Sequence, residues 1–160
     1  MDGGIKRKFR SNDGKIFELD QKCLEKSKVL KNLANDFQDP DAELPTNEVD
    51  GKNLEKIIEF LEHYQTEEVK EIPKPLPSGD LKQILAKWDY DYIMLLSLEE
   101  CIDLVNAANY LDIQELVNLT SARIASEMIN CSIEEARAKF NIVPDMTEEE
   151  MKEYDKYPLD

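Results

Sequence analysis

Histidine and tryptophan each occur once in these 160 residues, glycine five times and cysteine three times. A lone histidine, His63, with no serine or cysteine in a recognisable setting beside it, argues against nucleophilic catalysis. The cysteines, Cys23, Cys101 and Cys131, are odd in number, widely spaced and set in apolar helical patterns. They form neither a disulfide framework nor a metal site, and they point to a reducing compartment. No GxGxxG, GxxxxGK(S/T), HExxH or CxxC pattern occurs, so no catalytic residue, metal or cofactor is expected. Asp39 to Glu43, DPDAE, lacks the glycine turn and ligating glutamate of a calcium loop. No apolar run approaches the roughly 18 residues of a membrane span, and MDGGIKRKFR has no apolar signal segment. The expected location is cytoplasmic and nuclear. Basic charge is scarce as well: 20 Lys and Arg against 35 Asp and Glu give a net charge of −15. That field repels nucleic acid and anionic membranes and suits basic or apolar partners.

What is present is a chain of helix signals behind a short β segment. Ile5 to Leu19 alternates in two pieces around SNDG, Ser11 to Gly14, and Asp13-Gly14 suits a hairpin turn. Lys6, Arg7, Lys8 and Arg10 are the basic cluster, expected to face solvent and guard a sheet edge. Asp20 is positioned to cap a helix whose inner face carries Leu24, Ser27, Leu30, Ala34 and Phe37. A short strand is expected to end at Val49. Asp50 is the next N-cap, with Val49 and Leu54 at the staple positions, and Leu54, Ile57, Ile58 and Leu61 line a helix to about Tyr64. Residues 66–87 hold EIPKPLPSG and read as a flexible, solvated insertion ending in a helical turn at Leu81, Ile84 and Leu85. Trp88 and Asp89 mark the return to the core.

Leu98 to Ile113, LEECIDLVNAANYLDI, is the stretch on which the organisation turns. At about 100° per residue, Leu98, Cys101, Ile102, Leu104, Val105, Ala107, Ala108 and Leu111 cover an arc of roughly 220°. Glu99, Asp103, Asn106 and Tyr110 are left as a narrow polar strip. A helix docked by one face needs only about 100° of apolar surface, so this one is either central to the core or covered by a second molecule. Three capping boxes are expected after it, at Asp112 to Glu115, Ser132 to Glu135 and Thr147 to Glu150. Carboxylates such as Glu99, Glu100 and Glu148 to Glu150 serve helix N-termini there. Phe140, Ile142 and Val143 sit beside the helix-breaking Pro144 with no long element left to cover them, which reads as a binding surface.

The strings NAANYLDI with LVNLT, and SIEEARAKFNI with the TEEE helix after it, resemble the S-phase kinase-associated protein family, the adaptors of SCF ubiquitin ligases. SNDGKIFELD and the lone WD at Trp88 and Asp89 add to the likeness. The resemblance implies an α+β chain: a BTB/POZ fold over residues 1–128, a small sheet with helices, and an F-box-binding helical extension over 129–160. It implies F-box proteins and a cullin N-terminal domain as partners, with weak homodimerisation of the unbound chain. By position, Asn109 and Tyr110 would meet the cullin, and Cys101, Val105, Val117, Ile124, Phe140 and Ile142 would line the F-box groove. A C-terminal tryptophan in an ENQW-like motif is missing; the sequence given ends YDKYPLD, with Tyr157 its last aromatic, and whether Tyr157 takes the tryptophan's part stays open. Cys101 stands where a larger aliphatic side chain is usual, and the insertion is less acidic than expected. The alternatives are an elongin-C-like adaptor and a self-associating BTB protein outside SCF complexes.

Overall fold

The computed structural model describes residues 4–154 and 156, and Tyr157 lies outside them. Two compact units are present, residues 1–126 and 127–160.

The first unit begins with β1 (Lys6–Ser11) and β2 (Ile16–Asp20), paired antiparallel with Phe9 opposite Phe17. Gly14 alone takes positive φ in the connecting turn, at 83°. The Asp13 carboxylate accepts from Gly51 N at 2.8 Å, tying this turn to the next long helix. A 3-10 turn (Gln21–Lys26) leads into α1 (Lys28–Asp36), and β3 (Glu43–Thr46) returns parallel to β1, giving the order β2-β1-β3. The basic segment is therefore the central strand and not a guarded edge. Strand alternation splits it: Lys6, Lys8 and Arg10 face outward and meet Glu18, Asp41 and Glu43 at 3.9, 3.2 and 3.4 Å. Arg7 turns inward, 5% exposed, and donates to Phe37 O at 2.6 Å. The outward ion pairs are worth about 0–1 kcal/mol each, whereas burying Phe9, Leu19 and Leu44 contributes about 1.5–3 kcal/mol apiece. The sheet is held by its inner face.

The helix expected from Leu24 to Phe37 is interrupted at Ser27. That side chain caps α1 through Leu30 N at 3.2 Å and donates to Leu111 O at 2.5 Å. Phe37, at the C-cap, is 40% exposed and not part of the inner face. The next helix, α2 (Gly51–His63), is capped by Asp50 and buries Leu54, Ile57, Ile58, Phe60 and Leu61. Residues 65–80 contain neither helix nor strand, yet they are not simply solvated. Val69, Ile72 and Leu76 pack against the core, and Lys74 Nζ donates to Asn118 Oδ1 at 2.8 Å. This segment is a strap. After it come α3 (Leu81–Ile84) and α4 (Lys87–Met94).

Asp89 on α4 is 2% exposed and accepts from the Tyr64 hydroxyl at 2.6 Å. Burial pushes its carboxyl above the usual range, against the Tyr64 hydrogen bond, which acts the other way. The charged form is thus disfavoured in the fold, so this group costs stability increasingly as pH rises through and above the ordinary carboxylate range. Asp89→Asn keeps an acceptor for Tyr64, and its urea stability should improve relative to the parent between pH 3 and pH 7. Asp89→Ala strands a buried hydroxyl and should cost about 1–3 kcal/mol at pH 7. A pH-independent difference for the asparagine variant would contradict this account.

Candidate interaction surface

The central stretch forms α5 (Leu98–Tyr110), opened by a capping box in which Glu100 N donates to Ser97 Oγ and Ser97 N to Glu100 Oε2, at 3.1 and 2.8 Å. This box is readable as SLEE but was not among the expected ones. The 220° arc resolves into two parts. Cys101, Leu104, Ala107, Ala108 and Leu111 are buried, on about 120° of the helix surface. Leu98, Ile102 and Val105 are half-buried and form an adjoining stripe that also carries the exposed Asn109. Exposed Met94 and Leu95, 43% and 77%, precede that helix. Glu99, Asp103, Asn106 and Tyr110 make the polar strip as expected, and Tyr110 is 42% exposed. It borders a recess of about 430 Å³ whose walls include Asn12, Glu48, Asp50, Asn53, Asp103 and Asn106. Neighbouring in sequence, Asn109 and Tyr110 project about 100° apart.

The end of α5 departs from the expected capping box. Asp112 takes φ 53° and does not cap the helix after it. Its N–H reaches Asn109 O at 3.1 Å and that of Ile113 reaches Ala108 O at 3.0 Å. Both bonds belong to a Schellman terminus, with Asp112 in the left-handed position and Ile113 as the apolar residue that closes it. Helix α6 (Gln114–Met128) starts directly afterwards.

Of the residues expected at the F-box surface, Cys101 is fully buried and supports a surface only from beneath. Val105, Val117 and Ile124 are half-buried, the last two packed against the core. In the second unit, α7 (Ile133–Lys139) opens with the Ser132–Glu135 capping box. Phe140 follows as its half-buried C-cap, Asn141 takes φ 57°, and Ile142 N closes on Arg137 O at 2.9 Å. Ile142 and Val143 are 53% and 83% exposed, and Ile133, absent from the expected set, is 69% exposed. α8 (Glu148–Tyr154) begins with the third box, Glu150 Oε2 accepting from Thr147 N at 2.8 Å. Among the described residues no His, Cys, Asp and Glu group is arranged to hold a metal ion, and no helix is long and apolar enough to cross a membrane.

Comparison with known proteins gives this arrangement its place. Residues 6–66 match the profile of the Skp1 family tetramerisation domain, and residues 114–156 that of the Skp1 family dimerisation domain. The S-phase kinase-associated protein 1 homolog of Tetrahymena thermophila is 34% identical over 148 residues, 92% of this chain and 89% of the relative. The chain belongs to the Skp1 family. Its sheet and helices are those of the BTB/POZ fold. Other relatives of this Skp1-family chain are the SCF ubiquitin ligase complex protein SKP1b of Dictyostelium discoideum, 30% identical over 93% of this chain and 91% of the relative, and the E3 ubiquitin ligase complex SCF subunit sconC of Emericella nidulans, 32% identical over 88% and 86%. The match over 114–156 takes in α6, α7 and α8.

The start of α5 is open to a direct test. Lys52, then the Ser97 amide, hold Glu100 down to about 2 from its ordinary 4.5. A depressed carboxyl contributes stability that is complete above the ordinary value and fades as pH falls toward the depressed one. Melting curves from pH 6 to pH 2.5 should show an acid loss that shrinks in Glu100→Gln, and Ser97→Ala should cost about 1 kcal/mol at neutral pH.

Proposed function

We propose that this protein is the adaptor subunit of an SCF-type, cullin-RING ubiquitin ligase, joining an F-box substrate receptor to the N-terminal domain of a cullin. The observation that carries the reading is end-to-end similarity to proteins named as SCF subunits, spanning 93% of this chain in one case and 88% in another. Exposed apolar side chains in both units support it, since clusters of this kind mark protein contacts. On this reading Asn109 and Tyr110 face the cullin. Val105, Val117 and Ile124 of the first unit and Phe140 and Ile142 of the second meet the F-box, with Cys101 packed underneath. Residence is cytoplasmic and nuclear, in keeping with Cys23, Cys101 and Cys131 standing outside any disulfide.

The adaptor contributes placement and no covalent step. A receptor holding the substrate and a scaffold recruiting the charged conjugating enzyme are fixed at one distance, which raises the effective concentration of the acceptor lysine. A bridging subunit needs rigid faces, and α5 supplies one: its buried side is clamped while its half-exposed stripe and polar strip remain outward.

Co-expression with an F-box receptor and a cullin N-terminal domain should give a ternary complex. A folded monomer that binds neither would end the adaptor reading. Asn109→Lys with Tyr110→Lys should abolish cullin binding and spare the receptor, and loss of both in a folded protein would refute the separation of surfaces. Phe140→Ala should weaken receptor binding by about 2 kcal/mol or more if it anchors the contact.

A further inference from the structure

The single histidine and the single tryptophan of the chain lie face to face. Their ring centroids are 3.8 Å apart and the planes differ by 5°. Trp88 continues the stack onto Tyr92 at 4.8 Å, and Tyr64 meets His63 edge-on at 4.6 Å. His63 is the last residue of α2, so it stands at the point where the chain leaves the helix for the strap. Its Nε2 is 3.7 Å from Glu67 Oε2, one helical turn further on and already inside the strap.

The other charged groups around the ring are few. Asp89, on α4, faces it from within the core, bonded to Tyr64 and under the fields of His63 and Lys70. On α2 itself, Glu59 is paired with Lys56 at 2.9 Å, and the exposed Glu62 acts toward Cys23. The strap is fixed elsewhere by apolar contacts of Val69, Ile72 and Leu76 and by the bond from Lys74 to Asn118 on α6. Glu67 is the ionic contact at its start.

We propose that His63 is a protonation-dependent latch that holds the start of the strap to the end of α2. Neutral imidazole stacks on Trp88 but has no charge to offer Glu67. Imidazolium gains both the carboxylate and the electron-rich face of the indole. Histidine is the side chain that ordinarily changes charge between pH 5 and pH 8. The ion pair exists only with the proton on, so the strap is held more firmly in the protonated form. The Glu67 side chain is 66% exposed, which limits the effect to a shift in strap opening of about two- to fivefold. The far part of the strap reaches α6 at Asn118, beside Val117. Its operation does not depend on the adaptor reading.

One tryptophan and one histidine make the device observable in the intact chain. A stacked imidazolium quenches indole emission, so Trp88 fluorescence should be lower at pH 5.5 than at pH 7.5, and His63→Gln should remove that difference. Hydrogen exchange of residues 66–80, corrected for intrinsic rates, should show two- to fivefold greater protection at pH 5.5 than at pH 7.5. That difference should vanish in His63→Gln and in Glu67→Gln, the second being a surface change that leaves the stack intact. Strap protection independent of pH in the parent, or the same pH dependence persisting in Glu67→Gln, would overturn the latch even if the fluorescence changes.

Discussion

The buried face of α5 sets the position of everything else in the first unit. Cys101, Leu104, Ala107, Ala108 and Leu111 are each 5% exposed or less, and they lie on the side that packs against α2. Small residues at Ala107 and Ala108 suit a close approach, while Leu104 and Leu111 each bring about 1.5–3 kcal/mol of burial. The end of the helix is then fixed twice. Its Schellman terminus closes through Asp112 and Ile113, and the Ser27 hydroxyl donates to Leu111 O from the start of α1. A strained left-handed aspartate is tolerated because the alternative is unpaired carbonyls at a helix end in the core.

With one side committed inward, α5 has two outward strips of different chemistry. Leu98, Ile102 and Val105 form an apolar one that runs on to Asn109, and Glu99, Asp103, Asn106 and Tyr110 form a polar one beside an acidic recess. A helix of this kind can meet partners from more than one direction without moving. The second unit solves a different problem. Its helices α7 and α8 have seven residues each, too short to be stable on propensity alone, and each is started by a reciprocal capping box. Ile133, Ile142 and Val143 stay exposed there, which leaves this unit with an apolar surface that its own helices do not cover.

The sequence was most legible where structure depends on residues within one helical turn. Ser132 with Glu135 and Thr147 with Glu150 form the boxes that their spacing announces, and Asp50 caps α2 as its position before Leu54 suggests. Asp112 departs from its expected place because aspartate serves both an N-cap and a left-handed C-terminal position, and the choice depends on which neighbouring carbonyls need donors. Arg7 and its neighbours read as one basic patch, yet strand alternation sends Arg7 to the Phe37 carbonyl and the others to surface carboxylates. The apolar arc of α5 shows the same limit: it marks the residues that avoid water, and the core takes Cys101, Leu104, Ala107, Ala108 and Leu111 while Leu98, Ile102 and Val105 stay half-buried.

What the sequence by itself determined was the succession of elements, their caps, and the existence of a helix with more apolar surface than one docking face uses. Those follow from period, spacing and local hydrogen bonding, all of which act over a few residues. Tertiary structure alone decided that β1 is central, that the proline-rich segment is strapped to α6 through Lys74, that Ser27 breaks a continuous helix to reach Leu111, and that His63 stacks on Trp88. Each of these joins residues at least 25 positions apart, as from His63 to Trp88, and closing such loops is favoured only by the summed burial of the core, a quantity that no single stretch of sequence carries.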